Sequence, residues 1–333
     1  MTWFVTRMTR TFPRRTKIDM IHYGIIAHGG AGSPPHFSDG CKAACESAFS
    51  LLETGKSSLD AVVEAARILE DDGRFNAGSG SALRLDGKTI EMDASVMDSK
   101  GDVGIVIAIR NVKNPILVAK AVMNTPHVAL AGEGATAFAR KLGFQPFDKS
   151  SQRALERYQM VKQCIKKNEL GKESPLWKGH DIEALWNFPD VSYREIFCDT
   201  IGVVAIDKKG VLAVANSTGG FSPMMLGRVG DSPMIGCGFY AGSACALATT
   251  GMGEMIIKKM FAKTVYDMIS NGEDIKKACK KGVALFPLEI SVGIIAISKK
   301  GYTIAANTEM AHHVMVKERK PCIVLSPPYQ GGE

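Results

Sequence analysis

The chain has 333 residues, 45% apolar and 23% charged, and no apolar run long enough to cross a bilayer as a helix, which excludes a helical membrane protein. Its formal charge of +7 invites a nucleic-acid reading, but residues 1–20 carry +4 of it and residues 21–333 only +3, too dilute for a surface that tracks phosphates. The eight cysteines include no CxxC pair, a usage that fits a reducing cytoplasm.

Residues 1–20 are Arg-rich without the apolar core of a secretory signal and are set apart from the fold as a leader, expected to be disordered. A buried strand over 23–27 runs into the glycine turn 28–32. Helical spacing follows over 38–53, with Ser38 or Asp39 as the cap, and over 58–71, capped by Ser57 or Ser58 and ending before Gly73. Strands are predicted at 90–97 and 103–109. Helices follow at 115–123, opened by Pro115, at 133–142 and at 151–168. The polar stretch 169–198 reads as an exposed, mobile connection.

Residues 201–217 (IGVVAIDKKGVLAVANS) and 292–307 (VGIIAISKKGYTIAAN) repeat one pattern, strand, Lys-Lys-Gly turn, strand. Both strands of each are apolar throughout, so both sheet faces need cover. Helical stretches at 242–271 and 273–285 supply it, and an αββα or αβα layering with the two hairpins side by side in one sheet is expected.

Metal and nucleotide chemistry lack their usual signals: the histidines have no ligand spacing, and there is no G-x-S-x-G elbow and no phosphate-binding GxxxxGK[ST]. Hydroxyls on strand ends are better candidates. Pairing within the first hairpin brings Thr218 back beside Thr200. Thr249-Thr250-Gly251 opens the next predicted helix, where free N–H groups suit a developing oxyanion. Arg228 and Asp231, flanked by glycines, can grip the carboxylate and ammonium of a zwitterion, although such a pair on a loop is more often a local salt bridge.

Residues 21–316 resemble the plant-type L-asparaginase and isoaspartyl peptidase family, N-terminal nucleophile hydrolases related to glycosylasparaginase. The matching motifs are HGGAG at 28–32, FNAGSGSAL at 75–83, EMDASVMD at 91–98, DTIGVVAID at 199–207, STGG at 217–220, GRVGDSP at 227–233 and TGMGE at 250–254. The resemblance implies a single four-layer αββα domain over 21–333, cut by its own chemistry between Asp199 and Thr200. The products are an alpha subunit, 1–199, and a beta subunit, 200–333. Thr200 is then both nucleophile and base, because the new α-amino group has a pKa near 7.7 to 8.0 and can take the proton of its own hydroxyl. Thr218 would hydrogen-bond Thr200. Thr250 and Gly251 would form the oxyanion hole, and Asn76 would orient the nucleophile or a water.

Arg228, Asp231, Gly251 and Gly253 are implied to bind the L-aspartyl part of asparagine or a β-aspartyl peptide. No cofactor is expected beyond a structural sodium ion held by main-chain carbonyls among Leu69, Glu70, Asp72, Phe75, Ala77 and Ser79. The expected partners are a small-molecule or dipeptide substrate and a second cleaved protomer, with no nucleic acid and no membrane. Met252 stands where relatives commonly carry Thr or Asp, which leaves the leaving group open; glycosylated asparagine is the alternative substrate. Two readings of other classes also stand, an uncleaved non-catalytic relative and a basic binding protein using lysines 258–259, 276–277 and 280–281. Those lysines fall opposite Ile275, Ala278, Cys279 and Val283, as on a solvated helix face.

Overall fold

The computed structural model describes residues 20–84, 86–166, 180, 197–198, 200–222 and 224–319. Residues 1–19 of the leader, nearly all of the 169–198 connection, and Asp199 lie outside the described residues. Among those described, no helix is long and apolar enough to cross a membrane.

The chain opens with strand β1 (Ile21–His28), then helices α1 (Ser38–Glu53) and α2 (Ser58–Asp72). Ser57 caps α2 by accepting the Asp60 N–H, and Gly73 ends it in the left-handed conformation. Neither Ser38 nor Asp39 caps α1. A 3-10 turn at Pro35–Phe37 leads straight into it and makes Phe37 the cap residue. Strands β2 (Met92–Asp98) and β3 (Val103–Ile109) and helix α3 (Pro115–Val122) follow close to the predicted positions; strand β4 (Ala129–Ala131), an unpredicted element, precedes helices α4 (Gly132–Lys141) and α5 (Gln152–Lys166), again close to prediction.

After the short strand β5 (Phe197–Cys198), the first repeat forms β6 (Ile201–Ile206) and β7 (Leu212–Thr218), and β8 (Phe221–Ser222) pairs with β5. Strands β9 (Phe239–Ala241) and β10 (Ala246–Gly251), helices α6 (Gly253–Lys258), α7 (Phe261–Ser270) and α8 (Ile275–Val283), and strands β11 (Val292–Ser298), β12 (Gly301–Ala306) and β13 (His312–Glu318) complete the fold.

Two sheets stack face to face. One has the order β13-β1-β6-β7-β2-β3-β4 and the other β12-β11-β10-β9. Three hydrophobic clusters define the layers. The first lies between the larger sheet and helices α1 to α4, and includes Leu52, Val62, Leu69, Ile116 and Val203. The second fills the space between the sheets with Ile26, Val204, Val214, Phe239, Ile295 and Ile297. The third joins the smaller sheet to α7 and α8 through Leu247, Phe261, Val265, Cys279 and Ile294. This is the four-layer αββα arrangement, and it follows from strands apolar on both faces, each buried Val, Leu or Ile contributing about 1.5–3 kcal/mol.

Two expectations are corrected. The repeated hairpins do not lie side by side in one sheet: β6–β7 belongs to the larger sheet and β11–β12 to the smaller, so they meet across the central apolar layer. Nor is 242–271 continuous helix. Its first part is β10, whose Ala-Leu-Ala-Thr-Thr run is buried between β9 and β11. Its remainder is split into α6 and α7 at Met260, a left-handed residue. Alanine-rich composition favours helix locally, but cover on both faces makes this segment a central strand. Helix α8 is as expected: Asp274 caps it by accepting from the N–H groups of Lys276 and Lys277, Ile275, Ala278, Cys279 and Gly282 face inward, and lysines 276, 277, 280 and 281 are exposed.

Candidate active site

The strand register brings the expected residues together. Ile201 pairs with Ser217 across β6–β7, so Thr200 and Thr218 sit side by side at one end of the larger sheet. Both are buried, and Thr200 Oγ1 donates to Thr218 Oγ1 at 3.2 Å. At the facing end of the smaller sheet, β10 delivers Thr250 and Gly251. Thr200, Thr218, Arg228, Asp231, Gly251 and Gly253 line one narrow pocket, with Gly220, Phe221, Gly230 and Ser232 completing its wall.

Thr218 Oγ1 also accepts the Gly220 N–H at 3.0 Å, which closes the turn after β7. Asn76 fastens that turn: its side-chain N–H donates to the Gly220 carbonyl, its backbone carbonyl accepts from Gly219 at 2.8 Å, and its Oδ1 accepts from Ala82 at 2.8 Å. Thr250 Oγ1 accepts the Ala31 N–H at 3.1 Å, which ties the glycine turn after β1 to the end of β10.

The Arg228–Asp231 pair is not the simple local bridge its spacing allowed. Arg228 donates from Nε and Nη2 to both oxygens of Glu254, each at 2.8 Å, and its guanidinium stacks 4.4 Å from the centre of the Phe221 ring. Asp231 accepts from Thr249 Oγ1 at 3.2 Å. Burial pushes its carboxyl up to about 7, with nearby Arg228 opposing that shift. Gly253 is closely approached here: a Cβ would lie 2.8 Å from Arg228 Nη2 and 2.9 Å from Asp231 Oδ1, so any side chain would displace one of them.

Several residues that support the pocket carry no role in the sequence reading. Arg84, 1% exposed, donates to the Gly219 carbonyl at 3.0 Å and the Glu91 carbonyl at 2.8 Å, while Glu91 Oε2 accepts the Gly227 N–H at 2.9 Å. This buried pair braces both the turn after Thr218 and the loop that carries Arg228. Asp93, raised to about 6 by burial, lies opposite Thr218 in the β2–β7 register and accepts from Ala108 at 2.8 Å. EMDASVMD and TGMGE contain Glu91, Asp93 and Glu254, so position in a motif was the available signal; an Arg at position 84 gave none.

Glu70, fully buried at the end of α2, accepts from Ser217 Oγ at 2.6 Å and Ile116 N–H at 3.0 Å, and burial raises its carboxyl to about 8. It is therefore protonated in the folded protein and ionised in the unfolded chain between about pH 4.5 and about pH 8. The folded state holds the extra proton, so this contribution to stability is full below about pH 4.5 and is lost as pH rises through about 8, with a slope of at most about 1.4 kcal/mol per pH unit. Glu70→Gln should flatten that fall in unfolding experiments between pH 5 and 9; an unchanged pH dependence would remove Glu70 as its source.

The main chain after α2 also bears on the expected sodium ion. Among the described residues no group of acidic, cysteine or histidine side chains could hold a metal. The winding of 70–80 does bring backbone oxygens together: a Cβ on Gly80 would meet the carbonyls of Phe75 and Gly73, and the Glu70 carbonyl accepts from Ser79 Oγ at 2.7 Å. Phe75 and Glu70 are two of the six residues whose carbonyls are expected to hold the ion, and the carbonyls of Phe75, Ala77 and Ser79 also accept the N–H groups of Ala77, Gly80 and Ser151.

Two stacked sheets covered on both outer faces by helices make a layered α/β protein, the architecture of the N-terminal nucleophile hydrolase fold. The family model described as asparaginase matches residues 21–323. The chain is 40% identical over 307 residues to the plant-type L-asparaginase of Thermococcus kodakarensis, covering 88% of this chain and 96% of the relative. It is 39% identical over 308 residues to the plant-type L-asparaginase of Pyrococcus abyssi, with the same coverages. It is 34% identical over 306 residues to the isoaspartyl peptidase/L-asparaginase of Mus musculus, covering 88% and 87%. The chain belongs to the asparaginase family.

Proposed function

We propose that this protein is an autoprocessing threonine amidohydrolase that cleaves the side-chain amide of L-asparagine and the isopeptide bond of β-aspartyl peptides. The observation that carries this reading is the hydrogen-bonded pair Thr200–Thr218 at the floor of a pocket whose wall holds Arg228 and Asp231. Cleavage between Asp199 and Thr200 gives Thr200 a free α-amine. In its neutral form that amine takes the hydroxyl proton as Oγ1 attacks the β-carbonyl.

The tetrahedral oxyanion is held by the Thr250 hydroxyl and the Gly251 N–H. Collapse breaks the C–N bond, and the proton on the α-ammonium passes to the leaving ammonia or amine. A water then attacks the β-aspartyl ester, with the same amine as base, and frees aspartate and the Thr200 hydroxyl. Arg228 takes the substrate's α-carboxylate, Asp231 its α-ammonium, and Asn76 keeps the turn after Thr218 in place. A sodium ion among the carbonyls of Leu69, Glu70, Asp72, Phe75, Ala77 and Ser79 would brace the loop that carries Asn76. The subunits 1–199 and 200–333 share the same apolar layers and stay joined, and the working unit is a dimer of cleaved protomers.

The test is release of ammonia from asparagine and of aspartate from a β-aspartyl dipeptide, measured across pH. Asp231 binds an ammonium only as a carboxylate, and its pKa is about 7. KM should therefore fall as pH rises, by about tenfold between pH 6 and 8. In Asp231→Asn it should stay high throughout. Failure to hydrolyse either substrate would overturn the reading, and a flat KM in the unaltered enzyme would remove Asp231 as the ammonium partner.

A further inference from the structure

His28, the last residue of β1, is fully buried although the mechanism above uses no histidine. It pairs with Gly202 on the last rung of the β1–β6 ladder, because the chain turns away at Gly29. Thr200 lies two residues beyond that rung, past the reach of the β1 backbone. The His28 ring lies on Gly202, so close that a Cβ there would collide with Nε2, with Asn216 Oδ1 on the same side, and the Thr200 main chain is among the groups that act on the ring.

The tautomer is set by a neighbour. Nδ1 accepts the Gly30 N–H at 3.1 Å, so the ring hydrogen sits on Nε2. Burial holds the ring pKa at about 3, and the ring is a neutral donor throughout the working range. Nε2 has no hydrogen-bond partner in well-formed geometry, a costly state for a buried donor unless an acceptor moves to meet it. The same turn reaches the other side of the pocket through the Ala31 N–H on Thr250 Oγ1.

We propose that His28 is a positioning residue for the nucleophile: in the cleaved enzyme its Nε2–H donates to the Thr200 carbonyl and fixes the orientation of that residue. This inference rests on Thr200 being the nucleophile. A chain that begins at Thr200 is tethered there from one side only, and rotation about its Cα–C bond swings the amine and the hydroxyl together. A donor on the carbonyl holds the adjoining peptide plane, so that Oγ1 stays on Thr218 and the amine stays within reach of the attacking oxygen.

His28→Phe keeps a ring without the donor, and His28→Gln restores an N–H. With rates expressed per cleaved protomer, His28→Phe should lower kcat by about 10- to 100-fold while KM changes by less than about twofold, and His28→Gln should recover part of kcat. An unchanged kcat in His28→Phe, or an equal loss in both variants with raised KM, overturns the inference. Nitrogen-15 spectra of the unaltered protein decide the matter if neither variant folds or cleaves. A neutral Nε2–H tautomer with a hydrogen-bonded, slowly exchanging proton is expected, and an Nδ1–H tautomer or a freely exchanging proton contradicts it. Thr200→Ala assayed alongside separates the two levels. Activity in that variant removes the nucleophile assignment itself, whereas an inactive Thr200→Ala with a fully active His28→Phe removes only the role of His28.

Discussion

Thr200→Ala is expected to lower asparagine and β-aspartyl peptide hydrolysis by about 10⁴-fold or more, because it removes the attacking oxygen and leaves only binding and the oxyanion donors. The effect should be chemical, not structural. Thr200 contributes one methyl and one hydroxyl to a buried strand end, and its described side-chain partner, Thr218, keeps its bond to the Gly220 N–H in the variant. The variant should also remain uncleaved, since the hydroxyl proposed to attack the substrate is also the one proposed to attack the Asp199 carbonyl. A comparison of kcat with Thr200→Ser, which keeps the oxygen, separates loss of the nucleophile from loss of packing. Substantial turnover by the purified alanine variant would contradict the mechanism.

Arg228→Ala should cost about 100- to 1,000-fold in kcat/KM, mainly through KM, as expected for losing a charge-assisted carboxylate contact of a few kcal/mol. The structure adds a second cost. Arg228 already pairs with Glu254, whose side chain is 28% exposed, and its removal leaves that carboxylate without its arginine, close to the place proposed for the substrate's own carboxylate. The double variant Arg228→Ala with Glu254→Gln should therefore bind asparagine better than Arg228→Ala alone. Arg228→Lys should not restore full binding, since a point charge cannot hold Glu254 in a fork and still cover the Phe221 ring. Steady-state kinetics of the three variants check both parts, and an unchanged KM in Arg228→Ala would displace it from the carboxylate site.

The layers and much of the pocket were legible in the sequence for physical reasons. Apolar character on both faces of 201–217 demanded cover on both sides, and antiparallel pairing around Lys-Lys-Gly necessarily returned Thr218 to Thr200. What stayed hidden depended on contacts between distant segments. The two hairpins have the same pattern, and nothing local says that they belong to facing sheets. The run 246–251 is rich in small residues and reads as helix until β9 and β11 flank it. Arg228 could be matched with Asp231 from spacing alone, but Glu254, 26 residues further on, takes the guanidinium. His28 ends an apolar strand and shows no ligand spacing; only the register that sets it on Gly202 brings it close to Thr200.

The central claim is that Thr200 becomes a chain terminus and acts there as nucleophile. The most direct measurement is the intact mass of purified, active protein, with the amino-terminal sequence of each fragment. Two associated fragments, the second beginning at Thr200, are expected, with hydrolysis rising in proportion to the cleaved fraction. A single uncleaved chain of 333 residues that hydrolyses asparagine at full rate would contradict the account.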